Sequence, residues 1–283
     1  MAFGYFPLKQ KRRILSHPLA ELRRWVLGQD NLLKRAHVRD TFRHLNLNSH
    51  DELLEIGAGG LYYAGEIARR VRRTVALDYT DAVGHPLRTF QFPDGLKIIR
   101  GDAQALPFAS STFDKVFISE VFSVLPDARA CVKEVLRVLK PGGRVVTVHG
   151  DMFRTMEQVY EWPVAKWLLA KANSRWGTPT TYADFERQYC ALHGTRAEFF
   201  QHRDRFVIDL LTEAGFRNLE LTWTIYRRAQ LFYCFLMVLR MYRTGRPVLG
   251  EGQAIFLWPL KLLDHPDRTR PGGLTLLCSA TKP

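Results

Sequence analysis

Glu55, Gly57, Gly59 and Asp78 have the types and the spacing to hold a charged, sugar-bearing ligand. Glycine has no side chain, so Gly57 and Gly59 let backbone amides come close to whatever lies over them. Asp78 stands eighteen residues beyond Gly60. A carboxylate there can accept hydrogen bonds from ribose hydroxyls, which points to an adenosine-containing cofactor. Glu55 narrows the choice, because its carboxylate would repel a pyrophosphate but suits a ligand carrying a sulfonium and an amino group. A dinucleotide site would also want Gly-x-Gly-x-x-Gly, and with Gly57 as the first position the sixth is Tyr62.

Strands and helices must place these residues. The apolar run 53–56 reads as a buried strand ending in the glycines, and Ala64, Ile67, Ala68 and Val71 carry a helical period after it. A second strand, 74–77, ends in Asp78, and further strands are expected at 96–100 and 116–118. Pro126 and Asp127 open a helix with apolar positions Cys131, Val132, Val135, Leu136 and Leu139. Lys140-Pro141-Gly142-Gly143 ends it, and 145–148 is the next strand. This β-α alternation is the pattern of an α/β, doubly wound sheet, whose ligands sit at the carboxyl ends of the strands. A helix over 202–214 and strands at 219–224 and 274–280 complete the set.

In order, Glu-x-Gly-x-Gly at 55–59, the strand-end Asp78, Gly-Asp-Ala-x-x-Leu-Pro-Phe at 101–108, Phe113-Asp114 and Leu-Lys-Pro-Gly-Gly-Arg at 139–144 form a series. That series resembles the class I S-adenosylmethionine-dependent methyltransferases, and within them the group containing the ubiquinone and menaquinone C-methyltransferases. The likeness covers roughly residues 50–150 and departs at Leu61, where many members have a third glycine. It implies a Rossmann-like, seven-stranded, mostly parallel sheet whose last two strands pair antiparallel at the edge. It also implies S-adenosyl-L-methionine as cofactor, with Glu55, Gly57 and Gly59 lining it and Asp78 on the ribose. Asp102 and the Ala103 amide would read the adenine amino group, and Glu120 would lie near the sulfonium.

Methyl transfer from a sulfonium is an in-line displacement that requires a positioned nucleophile, exclusion of water and, for a hydroxyl acceptor, removal of a proton. His149, at the end of the fifth strand, and Asp151 are the candidate bases, since histidine titrates near neutral pH. An acidic phenol or hydroquinone acceptor would need only positioning. No cluster of metal ligands stands out.

The chain has 283 residues and a formal charge of +13. Without a compositional break we read one domain over 1–283, with N-terminal helices in 1–50, a cofactor-binding core in 51–150 and an aromatic cap in 151–200. The last helix and strands fall in 201–225 and 273–283, around an apolar insertion at 226–272. The basic charge suits an anionic membrane surface, a phosphorylated substrate or nucleic acid. Four dispersed cysteines without a C-x-x-C pair fit a reducing cytosol. No secretory signal is recognisable and no apolar run reaches the roughly 18–20 residues of a bilayer span. The expected location is therefore cytoplasmic, with a peripheral position on the inner face of the membrane as an option.

Helices at 16–27 and from Asp30 to Leu45 are expected to cover the cofactor, and the first is basic and amphipathic enough to lie on a membrane. Phe153, Tyr160, Trp162, Trp167, Trp176, Tyr182, Phe185, Tyr189, Phe199 and Phe200 supply apolar walls for a cap over the substrate. Two apolar pieces, 229–242 and 254–263, fit a membrane-dipping element, a homodimer contact or a lid. The function these features favour is methyl transfer to O or C of a small or lipid-like acceptor of phenol, quinone, polyketide or sugar type. Two alternatives stay open. A nucleic-acid methyltransferase is disfavoured because Ser119-Glu120-Val121-Phe122 stands where a base-pocket motif would. The other is a non-catalytic S-adenosylmethionine-binding or scaffold protein.

Overall fold

A computed structural model of the chain describes residues 32–59, 61–80, 93–151, 153–196, 199–200, 202–224, 227–245 and 275–283. Gly60, the helix expected at 16–27 and the apolar piece at 254–263 lie outside these residues.

Seven strands form one sheet in the order β3-β2-β1-β4-β5-β7-β6. They are β1 (Glu52–Ile56), β2 (Arg73–Asp78), β3 (Leu96–Arg100), β4 (Phe113–Ser119), β5 (Leu139–Gly150), β6 (Arg217–Thr224) and β7 (Thr275–Thr281). The pairs among β1 to β5 are parallel, whereas β7 runs antiparallel between β5 and β6. The order reverses between β1 and β4, so the crevice at their carboxyl ends is where such a sheet takes a ligand.

Alternate residues of the central strands feed two cores, as the two-residue period of a strand requires. Leu54, Ile56, Val116, Ile118 and Val145 join a large core on one face. Leu53, Phe117, Val146 and Val148 turn to the other, with Tyr63 and Ile67 of α2 (Tyr62–Ile67) and Leu45 of α1 (Leu32–Leu45). α1 is also fastened by polar contacts: His44 Nδ1 lies 2.9 Å from Ser279 Oγ on β7, and Nε2 lies 2.7 Å from Thr222 Oγ1 on β6.

The helix after β4, α3 (Ala128–Val138), starts where Asp127 accepts hydrogen bonds from the amides of Arg129 and Ala130. It ends earlier than the sequence suggests. Leu139 is not its last apolar residue but the first of β5, opposite Phe113, and Lys140-Pro141-Gly142-Gly143 lies within the strand segment. Gly142 takes φ +74°, and its amide donates to the Lys282 carbonyl at 3.0 Å. Tertiary pairing therefore claims residues that local signals assign to a helix terminus.

The segment after β5 forms α4 (Phe153–Tyr160), α5 (Pro163–Trp176) and α6 (Tyr182–His193), followed by α7 (Arg203–Glu213). Part of the apolar insertion forms α8 (Arg227–Thr244), which packs on α5 and α4. Cys234, Met237, Val238 and Met241 of α8 are buried in the large core. Among the described residues no helix is long and apolar enough to cross a membrane.

Candidate active site

The glycine turn is built against β2 and β4. Gly57 has φ +73°, and a Cβ there would meet Val121 Cγ2 at 2.2 Å, so any other residue would be strained and would have to displace Val121. The amides of Gly57 and Ala58 both donate to the Leu77 carbonyl, at 2.8 and 3.2 Å, and the Gly59 amide donates to Asp78 Oδ2 at 2.8 Å. These amides thus brace the turn instead of facing a ligand, which corrects the simple expectation for a glycine loop. What the glycines provide is close approach: a Cβ on Gly59 would meet nothing nearer than the Gly57 carbonyl oxygen at 4.0 Å. Leu61, the departure from a third glycine, adopts the left-handed φ of 58° that glycine would take, and its side chain is buried. Burial offsets a backbone cost of about 1–2 kcal/mol, and the turn keeps its path.

Asp78 closes one side. Its Oδ1 accepts from the Thr80 amide and hydroxyl, both at 2.9 Å, while Oδ2 takes the Gly59 amide. A carboxylate has about four acceptor positions, so this set still leaves room for a ribose hydroxyl. Glu55 is buried on the central strand, immediately before the turn. Asp102 Oδ1 accepts from the Gln104 amide at 2.8 Å and side-chain nitrogen at 3.1 Å, and Ala103 beside it is buried. Gln104 in turn accepts from the Asp127 amide, which ties this loop to the start of α3. Asp102 therefore has a turn-holding role, and among the described residues its Oδ2 takes the more distant Gln104 nitrogen at 3.4 Å.

Next along the strand ends, Glu120 takes a left-handed φ of 60° and accepts from the Gly150 amide at 2.7 Å through Oε1. This charge-assisted bond joins the ends of β4 and β5 and helps to sustain a backbone strained by about 1–3 kcal/mol. Its negative charge reaches the cap, where, after burial, it helps to push the Tyr189 phenol up to about 12 and the Tyr233 phenol upward as well.

His149 is wholly buried. Its ring stacks on Phe122, centroids 4.8 Å apart, and meets Phe199 edge-on at 5.6 Å. Neither imidazole nitrogen has a hydrogen-bond partner among the described residues. Burial, reinforced by the Arg203 cation, pushes its pKa down to about 3. Arg203 is itself buried; it pairs with Asp204 Oδ1 at 2.7 Å and donates to the His149 carbonyl at 3.3 Å. Asp151 points elsewhere: its Oδ1 accepts from the Phe153 amide at 3.0 Å, at the start of α4. Burial raises its pKa against the opposing pull of Arg203, the Phe153 amide and Arg154. No hydrogen bond joins His149 and Asp151 among the described contacts.

Sequence reasoning missed Arg203, Val121 and Tyr79. Only the register of α7 and the crossing of the β4 end under the turn bring the first two to the site. Tyr79 directly follows the strand-end acid. It is exposed, and its carbonyl accepts from Arg100 Nε at 3.2 Å.

The sheet order, with β7 antiparallel between β5 and β6, is that of the Rossmann-like methyltransferase fold. Residues 54–147 match the methyltransferase domain family and form such a domain in this chain. More particularly, the chain is similar to the demethylmenaquinone methyltransferase of Mycobacterium marinum, 34% identical over 123 residues, covering 42% of this chain and 48% of the relative. It is also similar to that of Mycolicibacterium vanbaalenii, 32% identical over 161 residues, covering 55% of this chain and 66% of the relative. The match thus spans about half of the first relative's length. Among solved structures, an S-adenosylmethionine-dependent methyltransferase from Mesorhizobium loti shares the fold, with a TM-score of 0.52 at 16% identity over 89% of this chain and all of that one.

Proposed function

We propose that the chain methylates an oxygen or carbon of a small, lipid-like acceptor, best matched by a phenol or reduced quinone. The observation that supports this reading most is the buried imidazole of His149, held between Phe122 and Phe199 beside the end of β4. A planar aromatic acceptor with a ring oxygen complements it, offering apolar faces to the phenylalanines and a hydrogen-bonding partner to the imidazole. The similarity to demethylmenaquinone methyltransferases favours the same acceptor chemistry.

Glu55, Gly57, Gly59, Asp78, Asp102 and Ala103 would hold S-adenosylmethionine, with Glu120 at its sulfonium end and the Tyr79 ring offering a face to the adenine. The open space over Gly59, bordered by the Asp78 carboxylate, fits such a ligand. When bound, the cofactor supplies an electrophilic methyl group. His149, neutral because of its burial and the Arg203 cation, would orient the acceptor by accepting a hydrogen bond from its hydroxyl at one ring nitrogen, and an acidic phenol or hydroquinone needs only that positioning. Asp151, whose side chain accepts from the Phe153 amide, would shape the site just before α4. Helices α4, α5, α6 and α8 form the cap that excludes water.

The test supplies S-adenosylmethionine labelled in its methyl group to the purified protein with host extract, and follows the label by phase. Label in an organic-soluble phenol or quinone supports the reading. Label in RNA would overturn it. Cofactor binding without transfer to any fraction would favour a binding or scaffold protein.

A further inference from the structure

The outer face of the cap has a composition that the reaction does not use. On α5, Val164, Trp167, Lys171 and Arg175 recur at three- and four-residue steps and so share one face. All four are exposed, Val164 by 49% and Trp167 by 56%. Trp176, at the end of the helix, is 49% exposed, and the Arg175 guanidinium lies 6.0 Å from its ring centroid. The opposite face of α5, with Ala165, Leu168, Leu169 and Ala172, is buried, so the exposed tryptophans are not a shortage of core. α8 continues this surface: Tyr242 stacks on Trp167 at 6.3 Å, Gly245 abuts Trp176, and Arg243 is exposed.

The charge is one-sided. α5 contains Lys166, Lys171 and Arg175, and α8 contains Arg227, Arg228, Arg240 and Arg243, with no acidic residue in either helix. Lys166 is paired with Glu161 just before α5, at 2.8 Å, and Glu157 is the exposed acid of α4. Lys171 and Arg175 keep the centre of the face positive. A second copy of this face would be repelled. A bilayer carrying anionic headgroups suits it, since tryptophan rings settle at the headgroup level while lysine and arginine meet phosphates.

We propose that the face of α5 centred on Trp167, Lys171 and Arg175 docks on an anionic lipid surface, setting the cap against the membrane. This rests on the surface alone and does not depend on which acceptor is methylated.

The experiment is sedimentation of the full chain with phosphatidylcholine vesicles, with and without phosphatidylglycerol, in the absence of acceptor. Wild type should partition onto the anionic vesicles only, and less so as salt is raised. Lys171→Ala with Arg175→Ala should weaken that partitioning about tenfold or more, taking each cation near the surface as worth roughly 1 kcal/mol. Trp167→Ala should weaken it at every salt concentration. Unchanged S-adenosylmethionine binding will show that the variants are folded. Wild type that ignores anionic vesicles, or variants that bind them as well as wild type, would overturn the proposal. So would binding of RNA that these substitutions abolish while vesicle binding persists. Vesicle binding is read without turnover, so its failure is distinguishable from failure of the proposed reaction.

Discussion

At the residue scale, two positions set the chemistry by exclusion. Gly57 has a positive φ and a neighbouring methyl where a Cβ would stand. Gly57→Ala should displace Val121 or the turn itself, lower stability by about 1–3 kcal/mol and weaken S-adenosylmethionine binding at least tenfold, measured by calorimetry. Asp78→Ala should also weaken binding several-fold or more, in part because the Gly59 amide loses its acceptor. His149 buries two polar nitrogens at a cost that an apolar ring would not incur. His149→Phe should therefore keep or raise the melting temperature while methyl transfer falls about tenfold, as expected for loss of one positioning hydrogen bond. Equal activity in that variant would remove the role assigned to the imidazole.

The same histidine predicts a pH signature. Its folded pKa, near 3, lies below the unfolded value of about 6.5, so the unfolded chain binds the proton more readily. Its contribution to stability is complete above about pH 6.5 and is lost as pH falls, at roughly 1.4 kcal/mol per unit at most. Denaturant titrations across that range would record the slope. Activity should show no ionisation limb near pH 6–7 from this residue, because the imidazole is already neutral there.

At the element scale, α1 and α8 are the informative pieces. His44 joins α1 to β6 and β7 through two buried hydroxyls, and burial, with Arg43 nearby, lowers its pKa. His44→Ala would remove two buried bonds while Ser279 keeps Glu220 and Thr222 keeps Arg43, so a loss of about 1–2 kcal/mol is expected in urea unfolding. α8 reads in the sequence as apolar nearly all round, which suits a membrane-dipping piece as well as a lid. In the fold its buried residues are part of the cap core against α4 and α5. Deleting it would therefore unfold the cap as well as remove any lipid contact. Met241→Ala is a gentler probe: a cost of about 2–5 kcal/mol should loosen the cap to limited proteolysis. Cofactor binding, which uses the ends of β1 and β2, should change far less.

At the scale of the whole molecule, the parallel half of the sheet and the cap divide the work. β1 to β4 carry the turn and the acids proposed for the cofactor. β5 carries His149 to the boundary, and the cap covers the far side with aromatic residues. Glu120 bonded to Gly150 is the joint between the two halves. Glu120→Ala should loosen that joint and reduce turnover more than cofactor affinity, a split that steady-state kinetics beside calorimetry would reveal.

Periodicity and spacing in the sequence were enough to establish the α/β alternation, the place of the glycine turn and the acid at the end of β2. Those features are local, since a strand of period two, a glycine turn and a helix stop are encoded in adjacent residues. The tertiary structure alone decided that the turn's amides are spent on Leu77 and Asp78, and that Leu139 leaves its helix for a strand. It also decided that Arg203 lies buried beside His149. Each depends on residues tens of positions away. His149 shows the division most clearly. Its type and strand-end position were visible in the sequence, but its neutral state follows from the low-dielectric enclosure that Phe122, Phe199 and the cap assemble around it.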